Sequence, residues 1–154
     1  MKLGYGVWGM GYGIILLILV SCASFKAQVP ENFAEYDDSP SGKFKAVSSD
    51  GVLYRVSEYE QKAQASTDFW REALLLKMKN ANYKQEDSLN VSIGGKLATG
   101  YIFSFANNTG SDLYLVAAVQ AKEKVFVVEA TGESTKFENR KKDILDAIGK
   151  ITID

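Results

Sequence analysis

Lys124-Val125-Phe126-Val127-Val128-Glu129-Ala130-Thr131-Gly132 is the stretch that decides the fold. Val125 to Val128 is apolar at every position, and its β-branched and aromatic residues favour extended backbone. A strand that has lost its polar/apolar alternation is covered on both faces. Leu113 to Val119, just upstream, has the same two-sided character, and Lys122-Glu123 separates the two runs. Two adjacent central strands are therefore predicted, Asp112 to Ala121 and Lys124 to Ala130, with helices over both faces of their sheet. Downstream, Thr135 and Glu138 have capping-box spacing, and Phe137, Ile144, Leu145 and Ile148 fall near one helical face. The spacing predicts a helix over 137–148, which Gly149 and Ile151-Thr152-Ile153 end or fray.

Moving toward the N-terminus, Lys96 to Ala106 alternates, with Leu97, Thr99, Tyr101, Phe103 and Phe105 on one face. Asn107 to Gly110 supplies the turn after it. Gly94-Gly95 is a hairpin pair between this strand and a more polar one, Tyr83 to Ile93. Phe69, Trp70, Ala73, Leu74, Leu76 and Met78 lie near helical spacing, with Ser66 or Thr67 as cap, Asp68 in the first turn, and Asn80 and Asn82 at the exit. They predict a helix with a wide apolar face. Asp50-Gly51 joins Phe44 to Ser48 and Val52 to Tyr59 in another hairpin. The order strand, strand, helix, three or four strands, helix predicts an α+β fold: a largely antiparallel twisted sheet with helices on both faces.

That order, the paired hairpins, Phe69-Trp70 opening the first helix, and the closing Val-Val-Glu-Ala strand before a helix resemble the PsbP, Mog1 and DcrB-like superfamily over about Phe44 to Asp154. The resemblance implies a sandwich of that kind and a non-enzymatic binding or assembly module. It carries over no site residue, because fold alone does not transfer function.

Leu19-Val20-Ser21-Cys22, closing the apolar run Ile14 to Val20, resembles the lipobox of bacterial lipoproteins. Met1-Lys2 supplies the basic start, and the apolar run matches a signal core of about 7 to 15 residues. Cleavage between Ser21 and Cys22 would leave a lipid-bearing Cys22 at the mature N-terminus. A transmembrane anchor is the competing reading, but it needs about 20 apolar residues, and Leu3 to Ala23 reaches that only by counting its glycines. Residues 1–21 are thus expected to be a signal peptide, 22–43 a lipidated tether, and 44–154 the domain. The tether reading rests on Pro30, Pro40, Gly42 and the acids of Glu35 to Asp38; the alternative is that Val29, Phe33 and Tyr36 dock on the domain as an extra strand or short helix. Ala23 follows the cysteine where inner-membrane retention uses aspartate, so in a two-membrane bacterium the outer membrane, facing the periplasm, is expected.

Composition removes whole classes of chemistry. The chain has no histidine, which excludes Ser-His-Asp and Cys-His catalysis and His-based zinc sites within it. Cys22 is its only cysteine, so an acylated mature chain has no thiol for a disulfide or a metal. Loss of residues 1–21 removes Lys2 and no acid, taking the net charge from −1 to −2, with no basic face for nucleic acid. The glycines lack P-loop spacing and the acids lack an EF-hand pattern, so no cofactor or metal is expected. Asn107-Asn108-Thr109 matches a glycosylation sequon but reads as a turn, and Lys136, Arg140, Lys141 and Lys142 read as a solvated face.

Glu129 stands out because it closes an apolar strand, where a carboxylate needs a partner. Arg55 and Arg71 are the candidates, and the pair would be structural or, in a cleft, ligand-orienting. Among the aromatic residues Tyr54, Tyr59, Phe69, Trp70, Tyr101, Phe103, Phe105 and Tyr114, most are expected in the core. Trp70 or Tyr101 beside Glu129 in a concave site would mark ligand or partner contact. The leading functional expectation is a lipid-anchored cell-envelope module, not an enzyme, that binds an envelope protein or supports assembly. The alternative is a small-molecule or lipid carrier using a pocket between sheet and helix.

Overall fold

The computed structural model describes residues 24–36, 39–61, 65–108 and 110–154. Residues 1–21, Cys22 and Asp37-Asp38 lie outside the described residues. In chain order the elements are β1 (Phe25–Lys26), β2 (Phe33–Glu35), β3 (Lys43–Ser48), β4 (Leu53–Glu60), α1 (Thr67–Asn80), β5 (Lys84–Ile93), β6 (Lys96–Asn107), β7 (Gly110–Ala121), β8 (Lys124–Glu133), α2 (Ser134–Ile148) and β9 (Thr152–Ile153). Seven strands form one antiparallel sheet in the order β2-β3-β4-β8-β7-β6-β5, and β1 pairs with β9. This is the α+β architecture predicted from the sequence.

The two-sided strands sit where their composition requires. β7 and β8 are central, and alternate residues of β8 enter different layers. Phe126, Val128 and Ala130 join Leu115, Ala117, Tyr54 and Val56 in a large core closed by Phe137, Ile144, Ala147 and Ile148 of α2. On the opposite face Tyr101, Phe103 and Val116 form a smaller cluster with Met78 of α1, and Val127 packs against it. Positive φ marks three of the hairpin turns, on glycine at Gly51 (93°) and at Gly94 and Gly95 (58° and 76°), and on a non-glycine residue at Lys122 (55°).

Helix caps are local. The Ser66 side chain accepts from Phe69 N–H, and Asn82, with φ 61°, follows α1. α2 starts earlier than expected: its cap is the Glu133 carboxylate, which accepts from the Thr135 and Lys136 N–H groups at 3.0 and 3.2 Å. The Thr135 and Glu138 capping box is therefore not the cap. Those two N–H bonds, with burial opposing them, hold the Glu133 carboxyl below its usual range, the Thr135 N–H being the largest influence.

In the N-terminal segment the structure follows the docked-strand alternative and corrects the tether reading. Residues 24–35 are not a free tether: β2 pairs with β3 through Phe33↔Ser48 to Glu35↔Ala46, and β1 pairs with β9 through Phe25↔Ile153. Phe25 is buried edge-on against Phe126, with ring centroids 6.0 Å apart. Burial of an aromatic ring outweighs the conformational freedom that a tether would keep. Correspondingly, Ile151 to Ile153 do not fray. Ile151 is buried, and a Cβ on Gly94 would meet the Ile153 side chain at 2.6 Å, so the β5–β6 turn and β9 are in close contact.

α1 corrects a second expectation. Its apolar residues are not a core face: Met78 alone among its side chains is buried, while Phe69 is 55% exposed and Leu76 59%. Leu74 and Leu75 are half-buried against the smaller cluster. The helix is held at its C-terminal half and stands away from the sheet at its start.

Candidate functional site

The space under α1 is a cleft of about 390 Å³. That volume falls within the roughly 300–1,000 Å³ of small-molecule sites. Trp70, Ala73 and Leu74 of α1 form its roof, and Tyr101, Val116, Val125 and Val127 its floor. Thr67, Lys77, Asn90 and Gln120 are the polar groups beside them.

The cleft follows from strand pairing. β6 pairs with β7 only from Gly100↔Ala117 to Asn107↔Gly110. Before that point Lys96 to Thr99 pair with β5, and Ala118 to Ala121 with β8. The two hairpins separate here, which is why Ala98 and Val119 line the cleft together with residues of the α1-facing side. Small side chains at Ala98 and Ala118 keep the gap open. Two buried polar atoms on this face have no hydrogen-bond partner among the described residues: Trp70 Nε1 and Ser57 Oγ. Ser57 stands opposite Val127, a floor residue, in the β4–β8 ladder. Buried donors without partners cost about 1–3 kcal/mol each, so a ligand that brings an acceptor gains by their presence.

The predicted contact residues divide into two groups. Trp70 and Tyr101 both line the cleft. Glu129 and Arg55 are brought together elsewhere on the same face, as direct neighbours in the β4–β8 ladder. Arg55 Nη2 and Nε reach one Glu129 oxygen at 2.7 and 2.8 Å, and the Tyr114 hydroxyl donates to the other at 2.5 Å. Burial, then the adjacent carboxylate, push the Tyr114 hydroxyl up, keeping it a donor. Arg71 instead pairs with Asp68 at 3.1 Å, one turn along α1. Glu129 is not among the cleft's lining residues, so the expected meeting of Trp70 or Tyr101 with Glu129 in one concave site does not occur.

The Arg55, Glu129 and Tyr114 triplet is a structural tie across three strands. Glu129→Ala should lower stability by about 1–3 kcal/mol, chiefly by stranding the Tyr114 hydroxyl, since Arg55 is 43% exposed and can turn to water. Urea unfolding measures it. Ligand occupancy of the cleft should stay unchanged, and a parallel loss would mean that Glu129 acts on the cleft.

Other charged groups are paired on the surface. Arg140 reaches Asp50 at 3.3 Å, Lys142 reaches Asp146 at 2.9 Å, and Lys141 lies between Asp87 and Glu138. No cluster of three or more acidic, cysteine or histidine residues placed to hold a metal occurs among the described residues. No helix among them is long and apolar enough to cross a membrane.

The domain has a PsbP/Mog1-like fold. It is similar to the Saccharomyces cerevisiae Ran-binding protein Mog1p, with TM-score 0.56 and 12% identity over 84% of this chain and 90% of that one. It is also similar to cyanobacterial PsbP from Synechocystis sp. PCC 6803, with TM-score 0.54 and 11% identity over 97% and 98% of the two chains. LpqN of Mycobacterium tuberculosis, a protein involved in cell envelope biogenesis, matches with TM-score 0.54 and 14% identity over 84% of this chain and 82% of that one. No protein-family profile matches the chain, and no curated protein matches it in sequence.

Proposed function

We propose that the protein is a lipid-anchored, non-catalytic binding module of the bacterial cell envelope, whose binding site is the cleft beneath α1. The cleft carries this reading. An apolar space of ligand size, roofed by a helix that leaves Phe69 and Leu76 in solvent, is what a carrier requires. A protein-binding or assembly role is the leading expectation from sequence; the cleft favours the alternative, a small-molecule or lipid carrier. Location rests on Cys22 and on Ala23 after it, which favour a lipid anchor in the outer membrane, facing the periplasm. The envelope role of LpqN, a chain of similar fold, agrees with that location.

Two measurements test the reading. Cys22→Ala should stop lipid labelling and leave unprocessed precursor; unchanged labelling would refute the anchor. Protein extracted from native membranes in mild detergent should carry an apolar molecule, seen as an added mass by native mass spectrometry. A bare chain recovered repeatedly would refute the carrier.

A further inference from the structure

Several features meet at one end of the sheet. β4 ends opposite the start of β8 at Glu60↔Lys124, β7 ends there at Ala121↔Lys124, and the Gly94-Gly95 turn lies at the same end because β6 runs antiparallel to β7. The first described residue, Ser24, is fastened there. Its hydroxyl donates to Glu58, Lys124 Nζ donates to both Ser24 Oγ and Glu58 at 3.1 Å, and Asp154 N–H donates to Ser24 C=O at 3.0 Å. Burial pushes the Glu58 carboxyl up, but the Ser24 and Lys124 hydrogen bonds outweigh it and hold it below its usual range. Cys22 is two residues away, and two residues span at most about 7 Å. A lipid on Cys22 therefore brings the bilayer to this end of the sheet.

The same end carries exposed apolar residues, of which Leu97 lines the cleft. Tyr59 near the end of β4 is 50% exposed, Phe69 in the first turn of α1 is 55%, and Leu97 at the start of β6 is 78%. At this end Lys96, Lys122 and Lys124 are matched in number by Glu58, Glu60 and Glu123, so no basic surplus among these residues draws anionic headgroups. Aromatic and aliphatic residues without such a surplus suit the boundary between headgroups and acyl chains. The cleft occupies this half of the sheet, reached through the gap between the β5–β6 and β7–β8 hairpins.

We propose that the cleft takes one acyl chain of a phospholipid from the membrane that anchors the protein, entering at this end; the proposal rests on the lipid-anchor reading above. Val116, Val125, Val127 and Leu74 would surround the methylene chain. Its ester carbonyl would supply the acceptor that Trp70 Nε1 lacks.

Trp70 makes the test direct. Trp8 and Trp70 are the two tryptophans, and signal cleavage removes Trp8. The mature lipoprotein is reconstituted in phosphatidylethanolamine and phosphatidylglycerol vesicles with or without bromine on the lipid acyl chains, and tryptophan emission is compared. Brominated lipid should lower the emission at least about twofold, because such a site buries most of its ligand. Ala118→Phe, which fills the cleft, should abolish the quenching. A lipidated, vesicle-bound protein with unquenched Trp70 would overturn the proposal; this covers occupation by the protein's own Cys22 lipid, which carries no bromine, or by a protein segment. Quenching that persists in Ala118→Phe would reduce the interaction to surface contact and overturn it too. Mass spectrometry of the same sample reads the lipid on Cys22, and its absence would identify failure of the anchor itself.

Discussion

Phe126→Ala is expected to lower the stability of the domain by about 3–5 kcal/mol, as large aromatic truncations in packed cores do. Phe126 is 1% exposed, at the centre of the sheet on β8, and its ring receives Phe25 edge-on. An alanine there leaves a cavity bordered by strands whose hydrogen-bonded ladders resist collapse, and it removes the surface that holds β1. With total stabilities of about 5–15 kcal/mol, a third or more of the margin would be lost. Urea unfolding should show the lowered midpoint, together with faster hydrogen exchange at Phe25 and Ile153. Phe69→Ala provides the contrast. More than half exposed, Phe69 should change stability by no more than about 0.5 kcal/mol. A loss below about 1 kcal/mol for Phe126→Ala would contradict a core of ordinary packing density.

Ala117 and Ala118 should give opposite results on substitution by phenylalanine. Ala117 is fully buried on the α2 face among Leu115, Val128 and Phe137. Overpacking there should cost about 1–3 kcal/mol and leave ligand binding alone. Ala118 faces the cleft, where a ring has room. Ala118→Phe should hold or slightly raise stability while lowering affinity for an apolar ligand at least about tenfold, roughly 1.4 kcal/mol. Thermal unfolding and ligand titration of both variants separate the two faces. Equal destabilisation by both would mean that α1 covers its face as tightly as α2 covers the other.

The sheet and its helices were legible because their determinants are local. Asp50-Gly51 and Gly94-Gly95 fix two hairpins through backbone that glycine accepts, and Val125 to Val128 announces a central strand by losing its alternation. β1 and β9 were not legible: two-residue strands have no period, and Phe25 meets Ile153 only once the ends of the chain are brought together. Glu129 could be singled out as needing a partner, but the choice of Arg55 over Arg71 depends on β4–β8 register, which is a non-local property. The cleft was hidden for a related reason. The apolar residues of α1 read as core because sequence records what a helix could bury, not how closely it approaches the sheet. Leu97 carried a faint signal, an apolar residue two positions beyond a hairpin glycine, but only the premature end of the β6–β7 ladder gives it meaning.

The fastening of Ser24 also limits where such a protein can work. If Cys22 carries the proposed lipid, only Ala23 separates it from the first clasped position, Ser24, and the domain has almost no leash. β7, at twelve residues, measures about 40 Å, so on that reading the strands rising from the anchored end would stay within roughly that distance of the bilayer. The search of a domain so anchored would be two-dimensional, along one membrane surface. A receiver of its cargo would have to come to that surface, and a carrier built this way would serve neighbours in its own leaflet and would not ferry cargo across to another membrane.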